Sequence, residues 1–184
     1  WGKWYIYYAA GDVDDIWAIR PYVLECKSND PFLDEWEELG QMQSADGDEF
    51  SFQDFSLDAT IMEHNEEYYY IWAEKTGTGK KISNLYIAVM ERPNKLATPQ
   101  VLLSTPDYQW ERIGFWVNEG PAVIKHDQMI YVIYSASETG KAYCLGLLTV
   151  HESEDIVDPN DWKKCRNPVL CTNEEKWVFG SGHN

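Results

Sequence analysis

The sequence predicts an all-β fold, and within that class a partial β-propeller: two complete four-stranded blades flanked by incomplete blades. Three observations carry this. Helical periodicity is nearly absent, while short alternating or apolar runs of β-branched and aromatic residues recur between polar turns. Three of those runs, Tyr5 to Ala9, Tyr69 to Ala73 and Tyr131 to Ser135, align so that Tyr8, Trp72 and Tyr134 stand 64 and 62 residues apart. A lone acid precedes the second and third: Asp58 lies 14 residues before Trp72, and Glu119 lies 15 before Tyr134. A four-stranded unit recurring at this period fits a propeller blade, although the kelch and WD40 signatures are absent. A stacked sandwich competes, but it requires no repeat of this length with an acid in register.

The elements follow in order. The first repeat supplies Trp4 to Ala9, Ala18 to Glu25 and Trp36 to Leu39. The second begins at Ser56 to Ile61 and continues with Tyr68 to Ala73, Asn84 to Glu91 and Val101 to Leu103. The third runs Glu119 to Ile124, Met129 to Ser135, Ala142 to Val150 and the segment around Trp162. Turn signals at Gly47-Asp48, Gly77-Thr78-Gly79, His126-Asp127 and Pro159-Asn160 separate them. Trp36 precedes Asp58 by 22 residues and Trp162 precedes His183 by 21, so Phe179 to Asn184 reads as the opening strand of a fourth repeat. The same spacing places the first strand of the first repeat upstream of Trp1. The expected blades are therefore residues 1–50, 51–112 and 113–176, with the next starting at 177–184, all in one propeller domain.

Bulk properties narrow the function. With 15 basic and 31 acidic residues the net charge is −16, which argues against nucleic acid and against an anionic membrane surface. No apolar run approaches the roughly 20 residues of a membrane helix. Cys26, Cys144, Cys165 and Cys171 form no zinc pattern; Cys165 and Cys171 pair if the protein is exported, and free thiols are the alternative. Asp12, Asp14, Asp15 and Asp46-Gly47-Asp48 lack the spacing of a calcium loop, and Gly77 to Lys81 lacks that of a phosphate loop. The compartment is not decided.

The innermost strand of each propeller blade lines the central axis, so one acid per blade start delivers several carboxylates to one funnel. Cleavage of a glycosidic bond needs such a pair, one to protonate the departing oxygen and one to activate water or attack carbon. Glu119 is the candidate general acid, because Trp116, Val117, Gly120, Pro121 and Ala122 surround it with neutral or apolar groups that raise a carboxyl pKa. Asp58 is the candidate partner that keeps it protonated and oriented; a solvated strand-end glutamate and a turn-closing aspartate are the plainer alternatives. His183, in Gly180-Ser181-Gly182-His183-Asn184, is a candidate to hold a cation or water. Trp72, Trp116 and Tyr134 are candidates for stacking on a sugar, with core packing as the competing role for Trp72 and Tyr134.

At these residues the chain resembles the family 43 glycoside hydrolases, five-bladed propellers that cleave arabinose or xylose units with inversion. The resemblance spans essentially all 184 residues. It is closest to the α-L-arabinofuranosidase branch, through Asn84 to Ala88, Trp110-Glu111, Asn118-Glu119-Gly120-Pro121, Ile133 to Ser137, Tyr143 to Leu148 and Gly180 to Asn184. It implies that Glu119 is the general acid, that Asp58 tunes and positions it, and that Asn118 contacts substrate. His183 then faces a calcium ion or water on the axis, with no cofactor required for the chemistry. The family's general base, an aspartate at the start of the first blade, falls upstream of Trp1. The resemblance thus predicts an arabinofuranosidase or β-xylosidase acting on arabinan- or arabinoxylan-type oligosaccharides, a segment inactive by itself, and self-association through open propeller edges. A non-catalytic carbohydrate-binding or scaffold propeller is the rival class.

Overall fold

The computed structural model describes residues 1–15, 17–32, 35–75 and 82–183. Their one helical element is a 3₁₀ turn at Gln109–Glu111, and the rest of the ordered backbone is strand and turn. The first module is an antiparallel sheet of β1 (Tyr5–Ala10), β2 (Arg20–Cys26) and β3 (Trp36–Gln41). The second holds β4 (Ser56–His64), β5 (Glu67–Lys75) and β6 (Ile82–Arg92). A short β7 (Lys95–Leu96) turns back onto the end of β6, and β8 (Val101–Ser104) closes that module. The third holds β9 (Trp116–His126), β10 (Met129–Ala136), β11 (Cys144–His151) and β12 (Lys163–Lys164). A two-pair parallel ladder, Ile82 with Trp116 and Ser83 with Val117, links the second and third modules.

The strands expected from Trp4 to the Trp162 segment therefore form. The hairpins β4–β5 and β9–β10 turn at Asn65-Glu66 and Asp127-Gln128, all four residues having positive φ. Such turns carry a twist that matches their flanking strands. Period-two alternation then sends each strand's residues to two interfaces. On β5, Tyr70 and Trp72 pack toward the first module with Val23, Phe52 and Tyr86, whereas Tyr69, Ile71 and Ala73 pack toward the third. On β10, Ile130, Val132, Tyr134 and Ala136 return that contact. The second module is thus buried on both faces, which is how its strands come to read as near-continuous apolar runs.

Two expectations change. Phe179 to His183 carries no strand: the Gly180 N–H bonds Thr172 Oγ1 (3.1 Å) and the His183 N–H bonds Ser135 Oγ (2.7 Å), and no ladder partner lies among the described residues. The four cysteines are free thiols, Cys26 and Cys144 buried and Cys171 exposed, so Cys165 and Cys171 do not pair. The turn expected at Gly77-Thr78-Gly79 and the terminal Asn184 lie outside the described residues.

Candidate active site

The first strands of the second and third modules, β4 and β9, lie against each other, and each carries a bulge near its start. Leu57 pairs Ala73 and Thr60 pairs Ile71, leaving Asp58 and Ala59 opposite Trp72. Glu119 pairs Ser135 and Ala122 pairs Ile133, leaving Gly120 and Pro121 opposite Tyr134. A bulge re-aims side chains and backbone donors at a strand end. Here it turns the Gly120 N–H to Asp58 Oδ2 across the module boundary, at 3.2 Å. Glu119 Oε1 accepts a 2.6 Å hydrogen bond from the Tyr143 hydroxyl, and that hydroxyl lies 3.2 Å from His183 Nδ1. Asp58, Glu119 and His183 are thereby brought together, with Tyr143 between the last two.

Electrostatics follow from this enclosure. Burial raises the Glu119 carboxyl above its ordinary value; the Asp58 charge adds to the rise, against the Tyr143 hydrogen bond and the neighbouring His183 and Lys75. Burial also raises Asp58, opposed by His183 and by the Gly120 N–H. Each carboxyl is therefore biased toward holding a proton at higher pH than an exposed acid.

The two acids open on different spaces. Glu119 lines a cleft of about 200 Å³ walled by Trp17, Phe55, Phe115 and Lys75. Trp17 and Phe115 are 54% and 42% exposed, and the Lys75 ammonium sits 3.9 Å from the Phe55 ring centroid. Asp58 lines a neighbouring cavity of about 170 Å³ with Tyr7, Tyr8 and Tyr70.

Three expected sugar contacts are corrected. Trp72, Tyr134 and Asn118 are fully buried. Trp72 Nε1 bonds Glu74 (2.8 Å), the Tyr134 hydroxyl bonds Glu111 (2.9 Å), and Asn118 bonds Glu111 (2.9 Å) and Ser104 (2.7 Å). The aligned aromatic of the first module behaves alike, Tyr8 donating to Glu38 (2.7 Å). This repeat position is an aromatic hydrogen-bonded to a glutamate in every module, fully buried in the second and third and only partly buried in the first. Trp116 is half-buried, and the Arg112 guanidinium covers its ring at 4.9 Å. The aromatics that do face the cleft, Trp17, Phe55 and Phe115, come from loops where no periodicity marks them.

A calcium ion at His183 would take six to eight oxygen ligands; among the described residues no group of three or more His, Cys, Asp or Glu gathers that could hold a metal by itself. No chemical step is routed through an ion.

Comparison with known proteins agrees with this geometry. The model of glycosyl hydrolases family 43 matches residues 1–184. The chain belongs to that family. It is 41% identical to an extracellular exo-alpha-(1->5)-L-arabinofuranosidase of Streptomyces chartreusis, covering 100% of this chain and 54% of that protein. It is 40% identical to alpha-L-arabinofuranosidase 43 of Humicola insolens, covering 100% of this chain and 37% of that protein. The crystal structure of an alpha-L-arabinofuranosidase from Lactobacillus brevis superposes with a TM-score of 0.89 at 42% identity, over 100% of this chain and 57% of that one. The chain thus spans about half the length of its relatives or less, and its three modules are part of a β-propeller.

Proposed function

We propose that the protein carrying this family 43 chain is a glycosidase that hydrolyses α-L-arabinofuranosyl linkages, with Glu119 as general acid. The observation that supports this most is the setting of Glu119: a desolvated carboxyl in an aromatic-walled cleft, one residue from the Asp58–Gly120 contact. Glu119 donates its proton to the departing glycosidic oxygen, and Asp58 holds the backbone beside it while its charge favours the protonated form. The exposed rings of Trp17 and Phe115 offer apolar surface to a sugar face. Arabinose is preferred over xylose because the relatives with about 40% identity bear arabinofuranosidase names.

Inversion needs a base on the opposite sugar face, with the two carboxyl groups roughly 6.5–9.5 Å apart. Asp58 contacts the backbone of the residue next to Glu119 and so stands beside the acid rather than across the sugar from it; the reading assigns the base to a residue outside this chain and expects no turnover from these 184 residues alone. No cofactor enters; a cation near His183 would be held through water.

The test is Glu119→Gln in the full-length protein. Hydrolysis of α-1,5-arabinobiose should fall roughly 10²–10⁴-fold, with sugar binding largely retained. An unchanged rate on arabinobiose would remove Glu119 from the role and point to another acid; no hydrolysis by the parent protein would favour the binding or scaffold reading.

A further inference from the structure

Tyr143 reaches Glu119 from the loop before β11, and no feature of the repeat foretells it. Its ring is buried and stacks against His183, with centroids 6.4 Å apart and planes at 14°. A Cβ on Gly182 would overlap that ring, so the glycine is what lets Tyr143 lie against the chain there. The backbone N–H of Tyr143 is held by the Gly140 carbonyl at 3.1 Å. The hydroxyl is therefore fixed in place by packing on two sides before any substrate arrives.

A phenol has one proton to give, and its direction is set by its neighbours. The hydroxyl of Ser135 hydrogen-bonds Tyr143, and the Glu119 oxygen at 2.6 Å is acceptor-only when ionised. Burial and the Glu119 carboxylate both push the phenol pKa up, so Tyr143 stays a donor. The Tyr143 hydrogen bond falls on Glu119 Oε1. The two carboxyl oxygens are thus made inequivalent by a residue that does not itself line the cleft.

Resting on Glu119 as the acid, we propose that Tyr143 is its positioning residue, engaging Oε1 so that Oε2 is the oxygen that carries and delivers the proton. In the step, Oε2–H transfers its proton to the glycosidic oxygen as the carbon–oxygen bond breaks. The electron pair of that bond stays on the leaving alcohol. Glu119 is left as a carboxylate, and the Tyr143 hydrogen bond to Oε1 stabilises the charge that develops.

The experiment compares Tyr143→Phe, Glu119→Gln and the double variant in the full-length protein, on α-1,5-arabinobiose and on 2,4-dinitrophenyl α-L-arabinofuranoside. Dinitrophenolate departs without a proton, so help given through the acid is irrelevant to it. Phe keeps the ring and its packing. Tyr143→Phe should lower kcat/KM about 10–100-fold on arabinobiose, the size of a lost hydrogen bond to a charged group, and less than about 2-fold on the dinitrophenyl substrate. In the Glu119→Gln background the added loss on arabinobiose should vanish. An equal loss on both substrates, or an undiminished loss in the double variant, would show that Tyr143 merely supports the fold. A negligible loss on arabinobiose would equally end the inference. Those outcomes leave Glu119 in place as long as Glu119→Gln itself discriminates between the substrates; if it does not, the general-acid reading fails first.

Discussion

The second and third modules open on the same backbone device and spend it differently. In each, two bulge residues face one aromatic, and the first of the two has a left-handed backbone: Asp58 at φ 51° and Gly120 at φ 56°. The acids are therefore not equivalent, since Asp58 occupies the place of Gly120 and Glu119 the place of Leu57. Asp58 accepts a strained conformation, tolerable for a short polar side chain, and reaches across to the next module. The third module keeps glycine at the corner because a Cβ there would stand 3.2 Å from His183 Nδ1, and its acid sits one residue earlier. A one-residue step reverses the face on which a strand side chain emerges. Two acids in nearly matching register thus approach one point from different directions.

The supports of the two openings differ as well. Glu74 of β5 takes the Trp72 indole and the backbone N–H groups of Phe52 and Asp54, tying down the loop before β4. Glu111 does the same for the loop before β9, taking the N–H groups of Asp107 and Tyr108, the Tyr134 hydroxyl and Asn118. It also pairs the largely buried Lys164 at 2.8 Å. Removing Glu111 would leave that ammonium with the longer Asp107 pair at 3.5 Å and the Thr105 carbonyl at 2.6 Å, and would free the several donors that Glu111 now satisfies. Glu111→Ala should cost about 3–5 kcal/mol in the unfolding free energy of the full-length protein. Glu74→Gln, with no lysine among the bonds described, should cost only about 1–3 kcal/mol. Equal losses in denaturant titrations would mean that the ion pair adds nothing.

The cross-strand partners of the aligned aromatics sharpen the same contrast. Trp72 faces Tyr86, with ring centroids 5.7 Å apart, whereas Tyr134 faces Gly146 and its ring lies over the glycine. A Cβ at Gly146 would overlap the Tyr134 ring and push its hydroxyl from Glu111. Gly146→Ala should destabilise by about 1–3 kcal/mol, as overpacked cores do. A melting temperature equal to that of the parent would show that the ring can move at no cost.

What was legible in the sequence, and what was not, divides along physical lines. Alternation reports burial on a pleated sheet, so β4, β5, β6, β9 and β10 could be placed, and aligning their aromatics exposed the repeat. The same alignment misled about Trp72 and Tyr134: aromatic richness does not say which face is wet, and the buried glutamates that hold these rings lie elsewhere in the chain. Asp58 and Glu119 stood out because each is a lone acid among apolar neighbours. The offset of 14 against 15 residues was visible, but only the bulges explain it. Tyr143, Trp17 and Phe115 come from loops, whose positions depend on tertiary packing rather than on a period. Tyr143 lay inside a recognised motif, yet nothing in that motif names the partner of its hydroxyl.

The smallest effect concerns the corner itself. Asn is the best-tolerated residue there after glycine and can still accept from the Gly120 N–H, so Asp58→Asn removes little besides the charge. Because burial raises the Asp58 pKa in the folded state, the stability linked to its neutral form is present below the unfolded value near ~3.9 and is lost as pH rises through the folded value. Asp58→Asn should therefore be more stable than the parent at neutral pH, by about 0.5–2 kcal/mol, with the difference closing as pH falls toward that range. Activity should move the other way. Without the Asp58 charge the Glu119 pKa drops, so the alkaline limb of kcat/KM shifts to lower pH. A variant less stable at neutral pH, or an alkaline limb that stays put, would mean that the two acids do not sense each other across the module boundary, and the contrast between the two corners would lose its functional meaning.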